Sequence, residues 1–590
     1  MATVELRTSL GRKKIIPLVM ALGNTLINKT GMVGLINKRV DWDPIQWGMS
    51  PGNLIKALTL STFTDIRIPL TRLSDRLAGL DLAYLLGYEA ETSGVNSFNV
   101  GRALQRLGES DYCDQLYETL ALTIVKDNNI PLGNMHTDTT TISFYGEYDF
   151  DKIDLTEEEK EMLLHIEKGY NKDGRPECKQ VVVGQIVSET GIPVVSRVMD
   201  GATSDAEWNA EAISYMKKVQ GEGFATGVFV ADCKLVNSIL MEKMSEREGM
   251  LKFVSRCPAS FEDKLESRMI KKAHDEGCWE DYGKLASGEK ASSYRGVSFI
   301  ETVCGHLMRL LVVESSSLAS KAQMSIEKEK VKLKPLVKAL KKKTFACKAD
   351  AETEANALTE SKHTKLFIIT PRIERIVKEV WPRGRRKATT TPKIVETFRV
   401  ADVEIRNDEE KCKLFMQNES CFVLISSVLA GMDNRKLLAT YKGQQVVENS
   451  FRQLKHPQLA SVMYLKNPQR LKALSMVLSF SLLIRAVIQH RLREGLSKFR
   501  EENPGAKLKI GWNGRELVNP TYMLLYEHSF DCYFEREARG KYSFEWPYYE
   551  SKERVGTLLS LMGLDVLDLI EQLILRIKGL SFVLYLKFHI

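Results

Sequence analysis

The chain has 590 residues, 44% apolar and 27% charged, with 84 Lys and Arg against 76 Asp and Glu. That length can bury several cores, so two to four domains are expected, and the apolar content excludes wholesale disorder. A formal net charge of +8 permits nucleic-acid binding without demanding it.

The arrangement of charge says more than its sum. Basic residues crowd into Lys321–Lys348 and Arg383–Lys387, while acidic runs such as Glu157–Glu161 lie elsewhere. The ten cysteines are scattered, with no Cys-x-x-Cys and no Cys/His cluster at zinc-site spacing, and read as reduced thiols of a cytoplasmic protein. Met1–Lys14 lacks the apolar core of a signal peptide. The longest apolar stretch, Ala473–Ile484, falls short of the about 20 residues a bilayer span needs. A buried core helix and no membrane partner are expected.

Residues 1 to about 130 are expected to be helical: Asn53–Leu60 follows Pro51-Gly52, and Leu70–Leu86, Ser97–Leu107 and Asp114–Val125 carry apolar residues at helical spacing. From Gly133 the composition changes. Met135–Tyr145 and Lys179–Val187 read as strands, and Ile192–Met199 returns from a Glu189-Thr190-Gly191 turn as a hairpin partner. A helix over Ala206–Val219 leads to a strand, Gly227–Ala231, that runs into Asp232; a helix over Leu235–Ser245 precedes a strand at Leu251–Cys257. Three antiparallel strands followed by strand–helix–strand form an α/β sheet in the order an RNase H-like fold uses.

Between 258 and 430 the pattern is less regular and reads as an insertion. It holds a basic helix, Lys321–Lys343, interrupted at Pro335, and strands at Thr364–Thr370 and Phe422–Val428. A polar helix, Asn434–Leu454, a buried helix, Arg470–Arg491, and a Leu-rich helical tail, Thr557–Ile590, follow. The expected domains are 1–130, a helical DNA-binding region; 131–257, the first part of the catalytic core; 258–430, the inserted β-rich and helical subdomain; 431–500, the second part of the core; and 501–590, a helical C-terminal region.

Asp138 stands in a strand-like segment among small hydroxyl residues, and Asp232 at the C-terminal end of another strand, the edge where α/β sheets collect their sites. Burying such a charge is unfavourable unless it is paired or binds metal. Either aspartate alone is at least as well read as a cap of the turn or helix that follows. Glu448 changes the balance. At about 100° per residue, Tyr441, Gln444, Glu448, Arg452 and Lys455 share a helical stripe roughly 80° wide. A solvated face is the ordinary reading of such a stripe; one acid among a phenol, an amide and two cations suits metal beside phosphate better. Carboxylates of this kind can hold a pair of Mg²⁺ ions about 3.5–4 Å apart, with Arg452 and Lys455 on flanking phosphates.

At these residues the sequence resembles the DDE transposases of bacterial and archaeal insertion sequences, in the branch with a Tyr-x2-Arg-x3-Glu-x6-Lys signature and an insertion before the Glu. Tyr441, Glu448 and Lys455 match in spacing, and Gln444 stands where Arg is usual. The segments HTDTTTISFYGEY, GIPVVSRVMDGATSD, VFVADCKLVNS and FRQLKHPQLASVMYLKNPQRLKALSMVLSFSLL match as well, and the likeness runs from about Ser50 to Gln489. The resemblance implies Asp138, Asp232 and Glu448 as catalytic metal ligands for Mg²⁺, with Mn²⁺ as a substitute. It implies Tyr441, Gln444, Arg452 and Lys455 as DNA contacts, and an aromatic that stacks on a displaced base, for which Trp279 and Trp381 are the candidates beside plain packing. It further implies double-stranded DNA as partner, element ends and target alike, a homodimer on paired ends, and a cytoplasmic, nucleoid-associated location. A nuclease of the same fold without end specificity, and a non-catalytic DNA-binding descendant of a transposase, are the rival readings. His136 is expected as a satisfied core histidine, and Asp205, in the GATSD turn, as a turn-former in preference to a further acid of the site.

Overall fold

The β-branched run Lys179–Ser188 is buried along nearly its whole length, which requires neighbouring strands to satisfy its peptide groups on both sides. In the computed structural model those neighbours are present. Described are residues 14–570 apart from 64–68, 89, 110–111, 147, 149–155, 157–162, 222–225, 247–248, 287–290, 382, 385–390, 457–458, 460–464, 466, 512–513, 538–540, 547–548 and 568. The run Glu157–Glu161, most of the Arg383–Lys387 cluster and the tail from 571 on therefore lie outside the described residues.

In chain order the strands are β1 (Lys14–Pro17), β2 (Gly133–Phe144), β3 (Lys179–Ser188), β4 (Pro193–Met199) and β5 (Thr226–Ala231). Then come β6 (Phe253–Arg256), β7 (Glu280–Lys284), β8 (Ser293–Val303), β9 (His306–Ser315), β10 (Phe367–Val380) and β11 (Lys393–Asn407). Last are β12 (Cys421–Ser426), β13 (Tyr533–Arg536) and β14 (Tyr542–Glu545). The chain divides into two compact units. One comprises Met1–Leu235, Lys243–Leu251 and Thr440–Ile590; the other comprises Val236–Glu242 and Lys252–Ala439.

In the first unit the strand order is β4-β3-β2-β5. β2, β3 and β4 form an antiparallel meander, and β5 enters parallel to β2 after the crossover helix Asp205–Gly221. That helix seats Trp208, 1% exposed, against β3, and the indole Nε1 donates to Thr137 Oγ1 of β2 at 2.8 Å. The fit is tight: a Cβ on Gly184 of β3 would lie 2.4 Å from the ring.

Helices Pro51–Ser61, Ser97–Gly108 and Tyr112–Asp127 appear where the apolar spacing placed them. Leu70–Leu86 is broken into a short 3-10 turn and two five-residue helices, Leu73–Leu77 and Leu82–Leu86. The second starts on Asp81, a fully buried residue that accepts from Tyr84 N, from Tyr542 Oη at 2.5 Å and from Arg536 at 3.5 Å.

The C-terminal region 501–590, expected to be helical, also contains strands. β13 and β14 form a hairpin whose Phe534–Phe544 cross-strand pair meets edge-on at 4.7 Å, and β1 joins its edge. Aromatic pairing across two four-residue strands outweighs helical propensity here. The long helix Pro468–Glu502 begins with Asn467 as N-cap and Pro468 in its first turn. It is long and apolar enough to cross a membrane, yet the apolar window is 94% buried inside the protein, as a core helix. Arg485, 4% exposed, lies along it with the guanidinium 4.8 Å from the Tyr522 ring and 5.7 Å from Phe63, and donates to the Thr62 carbonyl.

The second unit is richer in strand than its sequence suggested. Its strands run β6-β12-β9-β8-β7, with antiparallel pairing throughout. β10 extends well past Thr370 and pairs with β11 over its full length in a separate two-stranded sheet. The basic helix is continuous over Ser316–Lys341, with Pro335 inside it. Pro335 and Val331 are both exposed, so water can take over the carbonyl bond that proline forfeits. Ile326, Leu333 and Leu340 bury one stripe of this helix against the β10–β11 ribbon, leaving most of its lysines outside.

Replacing Gly184 by Ala forces the Trp208 ring off its seat. Urea denaturation of Gly184→Ala should show a loss of about 1–3 kcal/mol, the usual penalty of overpacking; unchanged stability would mean the helix slides freely over β3.

Candidate active site

The strand register brings two of the sequence-predicted acids together. His136 of β2 lies opposite Val230 of the parallel strand β5; Asp138 follows two residues on in β2, and Asp232 directly follows the end of β5, close enough for Asp138 to repel its charge. Each accepts a local backbone bond: Lys234 N donates to Asp232 Oδ1 at 3.0 Å, as to a cap, and Thr139 N donates to its neighbour Asp138 Oδ1 at 2.7 Å. The capping reading therefore holds beside the site reading at Asp232, which precedes the short turn Cys233–Leu235, and fails at Asp138, which lies inside β2 with no helix or turn after it.

Asp205 joins them, and here the expectation of a turn-former needs correcting. Ser204 and Glu207 form a reciprocal capping box, Ser204 N to Glu207 Oε2 at 2.6 Å and Glu207 N to Ser204 Oγ at 3.3 Å. With the helix end satisfied by its neighbours, the Asp205 carboxylate is available to the sheet. It accepts from Thr139 Oγ1 at 2.5 Å and from Lys172 Nζ at 2.9 Å.

Lys172, which the sequence did not single out, ties the acids together. Its ammonium lies 3.4 Å from Asp138 Oδ1 and 2.9 Å from Asp205 Oδ1, and donates to Thr139 Oγ1 at 2.6 Å and the Thr139 carbonyl at 3.1 Å. Burial opposes its charge, but Asp138 and Asp205 outweigh that and hold its pKa above the usual lysine range. Burial pushes the Asp138 carboxyl up, with Lys172 and the Thr139 N–H pulling the other way and Asp205 adding repulsion. Burial also raises Asp232, and repulsion from Asp138 and Asp205 adds to it. Asp205 is held below the ordinary range, because its bonds from Thr139 and Lys172 outweigh its burial.

The third predicted acid arrives on a separate helix, Gln445–Leu454. Val447 and Phe451 pack on Val187 of β3. Two polar anchors fasten this helix beside Asp138. Gln444 Nε2 donates to the carbonyl of Thr137 at 2.9 Å, and Ser450 Oγ donates at 2.7 Å to Gln185 Oε1, the residue opposite Asp138 in the β2–β3 pair. Glu448 lies between these anchors, one turn on from Gln444, and is exposed.

The single helix expected over Asn434–Leu454 is in fact two, Asn434–Lys442 and Gln445–Leu454. Between them the backbone tightens into three-residue steps, Gly443 N to Thr440 O, Gln444 N to Tyr441 O and Val446 N to Gly443 O. Gly443 permits this against the buried His136: a Cβ there would lie 2.9 Å from the imidazole. The one-helix stripe therefore fails at Tyr441, which lies in the last turn of the first helix, while Gln444, Glu448 and Arg452 keep helical spacing. Lys455 pairs with Asp173, next to Lys172, at 2.7 Å, and Arg452 bonds Asn449 at 2.6 Å.

His136 is buried as expected, but its Nδ1 has no partner among the described residues, and burial pushes its pKa down to about 4. In the second unit, half-buried Trp279 stands 5.0 Å from the Arg295 guanidinium and lines a cavity of ≈ 500 Å³ with Tyr294 and Lys284. Trp381 is half-buried; of the neighbouring basic cluster, 385–387 are not described. Lysines of the Lys321–Lys343 stretch are partly engaged, Lys332 with Glu329 at 2.5 Å and Lys341 with Asp402 at 2.6 Å.

Carboxylates that repel one another in a half-buried place, with one ammonium between two of them, are a donor set for a hard divalent cation. Asp138, Asp205 and Asp232 offer donors of that kind. No protein family and no curated protein matches the chain. Among solved structures it is similar to piggyBac transposase in a synaptic complex with hairpin DNA, determined by cryo-EM, with a TM-score of 0.35 and 8% identity over 84% of this chain and 86% of that one. A likeness of that size specifies neither a shared fold nor a shared activity.

Removing the Lys172 ammonium leaves Asp138 and Asp205 unneutralised. In the presence of a chelator, Lys172→Met should lose about 1–3 kcal/mol in chemical denaturation, discounted for partial exposure. Added Mg²⁺ should restore part of it; wild-type stability in chelator would show the ammonium to be idle.

Proposed function

We propose that this chain is a DNA transposase of the three-carboxylate kind, with Asp138, Asp232 and Glu448 as the ligands of catalytic Mg²⁺. The observation that carries the reading is the approach of Asp138, within β2, and Asp232, directly after β5, with the Glu448 helix fastened by Gln444 and Ser450 to the two residues flanking and facing Asp138. The β4-β3-β2-β5 order, with its antiparallel meander and parallel fourth strand, supports an RNase H-like core of the kind expected from the insertion-sequence resemblance.

Bound there, a pair of Mg²⁺ ions would activate the attacking oxygen and stabilise the leaving oxygen of a phosphodiester. The protein's own groups supply position and charge. Asp138 is fixed by Thr139 N–H and Lys172, Asp232 by Lys234 N–H. Glu448 is held on a helix anchored at both ends of its first two turns. Lys172 offsets the repulsion among the acids, and Arg452 and Lys455 stand on the Glu448 side as phosphate contacts, Lys455 exchanging Asp173 for DNA. In this reading two copies act on paired element ends in the cytoplasm, cut the DNA and join its 3′-hydroxyls to a target.

The test is cleavage of a DNA fragment carrying the gene and its flanks, with Mg²⁺ or Mn²⁺. Wild-type protein should cut at short inverted repeats, and Glu448→Gln and Asp232→Asn should each lose at least about 100-fold in rate while keeping their fold and DNA binding. Undiminished strand transfer by either variant sinks the assignment. Metal-dependent cutting without end preference would favour a general nuclease, and sequence-specific binding without cutting a non-catalytic descendant.

A further inference from the structure

In the second unit, antiparallel pairing lines up three polar side chains in one row. Arg295 of β8 is the register partner of Glu314 of β9, and Glu314 is the partner of Cys421 of β12. Directly paired residues present their side chains on the same face of a sheet. The helix Leu265–Glu276 lies over that face and adds His274, whose Nε2 stands 3.8 Å from Cys421 Sγ. A ligand atom from each of His274, Glu314 and Cys421 lies within 4.8 Å of the other two.

From this juxtaposition of a thiol, an imidazole and a carboxylate we infer a zinc site, with His274, Glu314 and Cys421 as its ligands and water from the adjoining cavity in the fourth position. Zinc bonded to sulfur at about 2.3 Å and to nitrogen at about 2.0 Å in a tetrahedral arrangement puts the two ligand atoms about 3.5 Å apart. The observed separation needs only a small closure. Thiolate and imidazole select zinc over the magnesium that suits the carboxylates of the first unit.

The surroundings fit a ligand set. Both Arg295 bonds to Glu314, at 2.6 and 3.1 Å, go to Oε2, leaving Oε1 for the metal and fixing the carboxylate's orientation. The His274 ring hydrogen-bonds the Gln417 backbone and rests on Trp279 at 5.1 Å, as a metal-ligating imidazole is commonly held by its second nitrogen. A thiolate and a carboxylate balance the two positive charges of zinc. Glu314 also lines the ≈ 500 Å³ cavity beside Trp279 and Tyr294, which gives solvent a path to the remaining position. The ion would clip the helix Leu265–Glu276 to β9 and β12.

The test is titration of the full-length, metal-stripped protein with Co²⁺ and then Zn²⁺. One Co²⁺ per chain should bind with tetrahedral visible bands and a thiolate-to-cobalt charge-transfer band, and Zn²⁺ should displace it. Cys421→Ser and Cys421→Val should lose the charge-transfer band with wild-type circular dichroism, and Glu314→Gln should weaken Co²⁺ binding by roughly tenfold or more. The Asp138→Asn/Asp232→Asn double variant should keep the band, which separates this site from the carboxylate one. Absence of the band in wild-type protein, or its persistence in the Cys421 variants, overturns the proposal. Should both Cys421 variants misfold, His274→Gln decides: an unaltered Co²⁺ spectrum overturns the site and loss of the tetrahedral bands upholds it.

Discussion

Repulsion among acids is the constraint around which the first unit is arranged. Two like charges 4 Å apart interact by roughly 4 kcal/mol at the effective dielectric of a protein surface. Burial raises the carboxyls of Asp138 and Asp232, and repulsion among Asp138, Asp205 and Asp232 adds to it. Lys172 answers this by reaching two of them at once. Thr139 contributes its N–H to Asp138 and its hydroxyl to Asp205. The third predicted acid, Glu448, is kept exposed on a helix whose polar anchors, not an ion pair, determine where it lies.

Much of this frame was legible in the sequence because it rests on local patterns. The β-branched run of β3, its return through Glu189–Gly191 and the apolar lead into Asp232 each announce a strand by composition. The core helix Pro468–Glu502 announces itself by its apolar run and its Asn-Pro start. What escaped was decided by tertiary partners. Lys172 lies in a segment with no periodicity, and nothing local says that it faces Asp138. Asp205 looked like a turn residue from its GATSD setting, and only the sheet shows that Ser204 and Glu207 cap the helix while Asp205 turns to Thr139 and Lys172. The break at Gly443 has no strong local sign, and the His136 ring packed against it is some three hundred residues away in the chain.

The second unit was less legible for the same reason in another form. Its row Arg295, Glu314, Cys421 belongs to three strands, so no spacing along the chain displays it. A search for cysteine and histidine at short intervals finds nothing, although the register places a thiol beside an imidazole. The β10–β11 ribbon is mostly exposed, with alternating apolar and charged residues, and its long pairing is set by partner strand and by the buried stripe of the basic helix rather than by a hydrophobic run. The hairpin of β13 and β14 depends likewise on β1, from the other end of the chain.

The order of the acids along the chain has a consequence for synthesis. Asp138, Lys172, Asp205 and Asp232 all emerge from the ribosome before the second unit begins in earnest, and Glu448 only after it is complete. At roughly 5–20 residues per second, that interval is on the order of ten seconds or more. Throughout it the nascent chain can settle its first acids around Lys172, but it lacks the helix that carries the last one. Under the proposed chemistry a partly made or prematurely terminated chain holds an incomplete ligand set. If that chemistry holds, the split of the core is a timer that withholds the cutting centre until translation has passed Leu454.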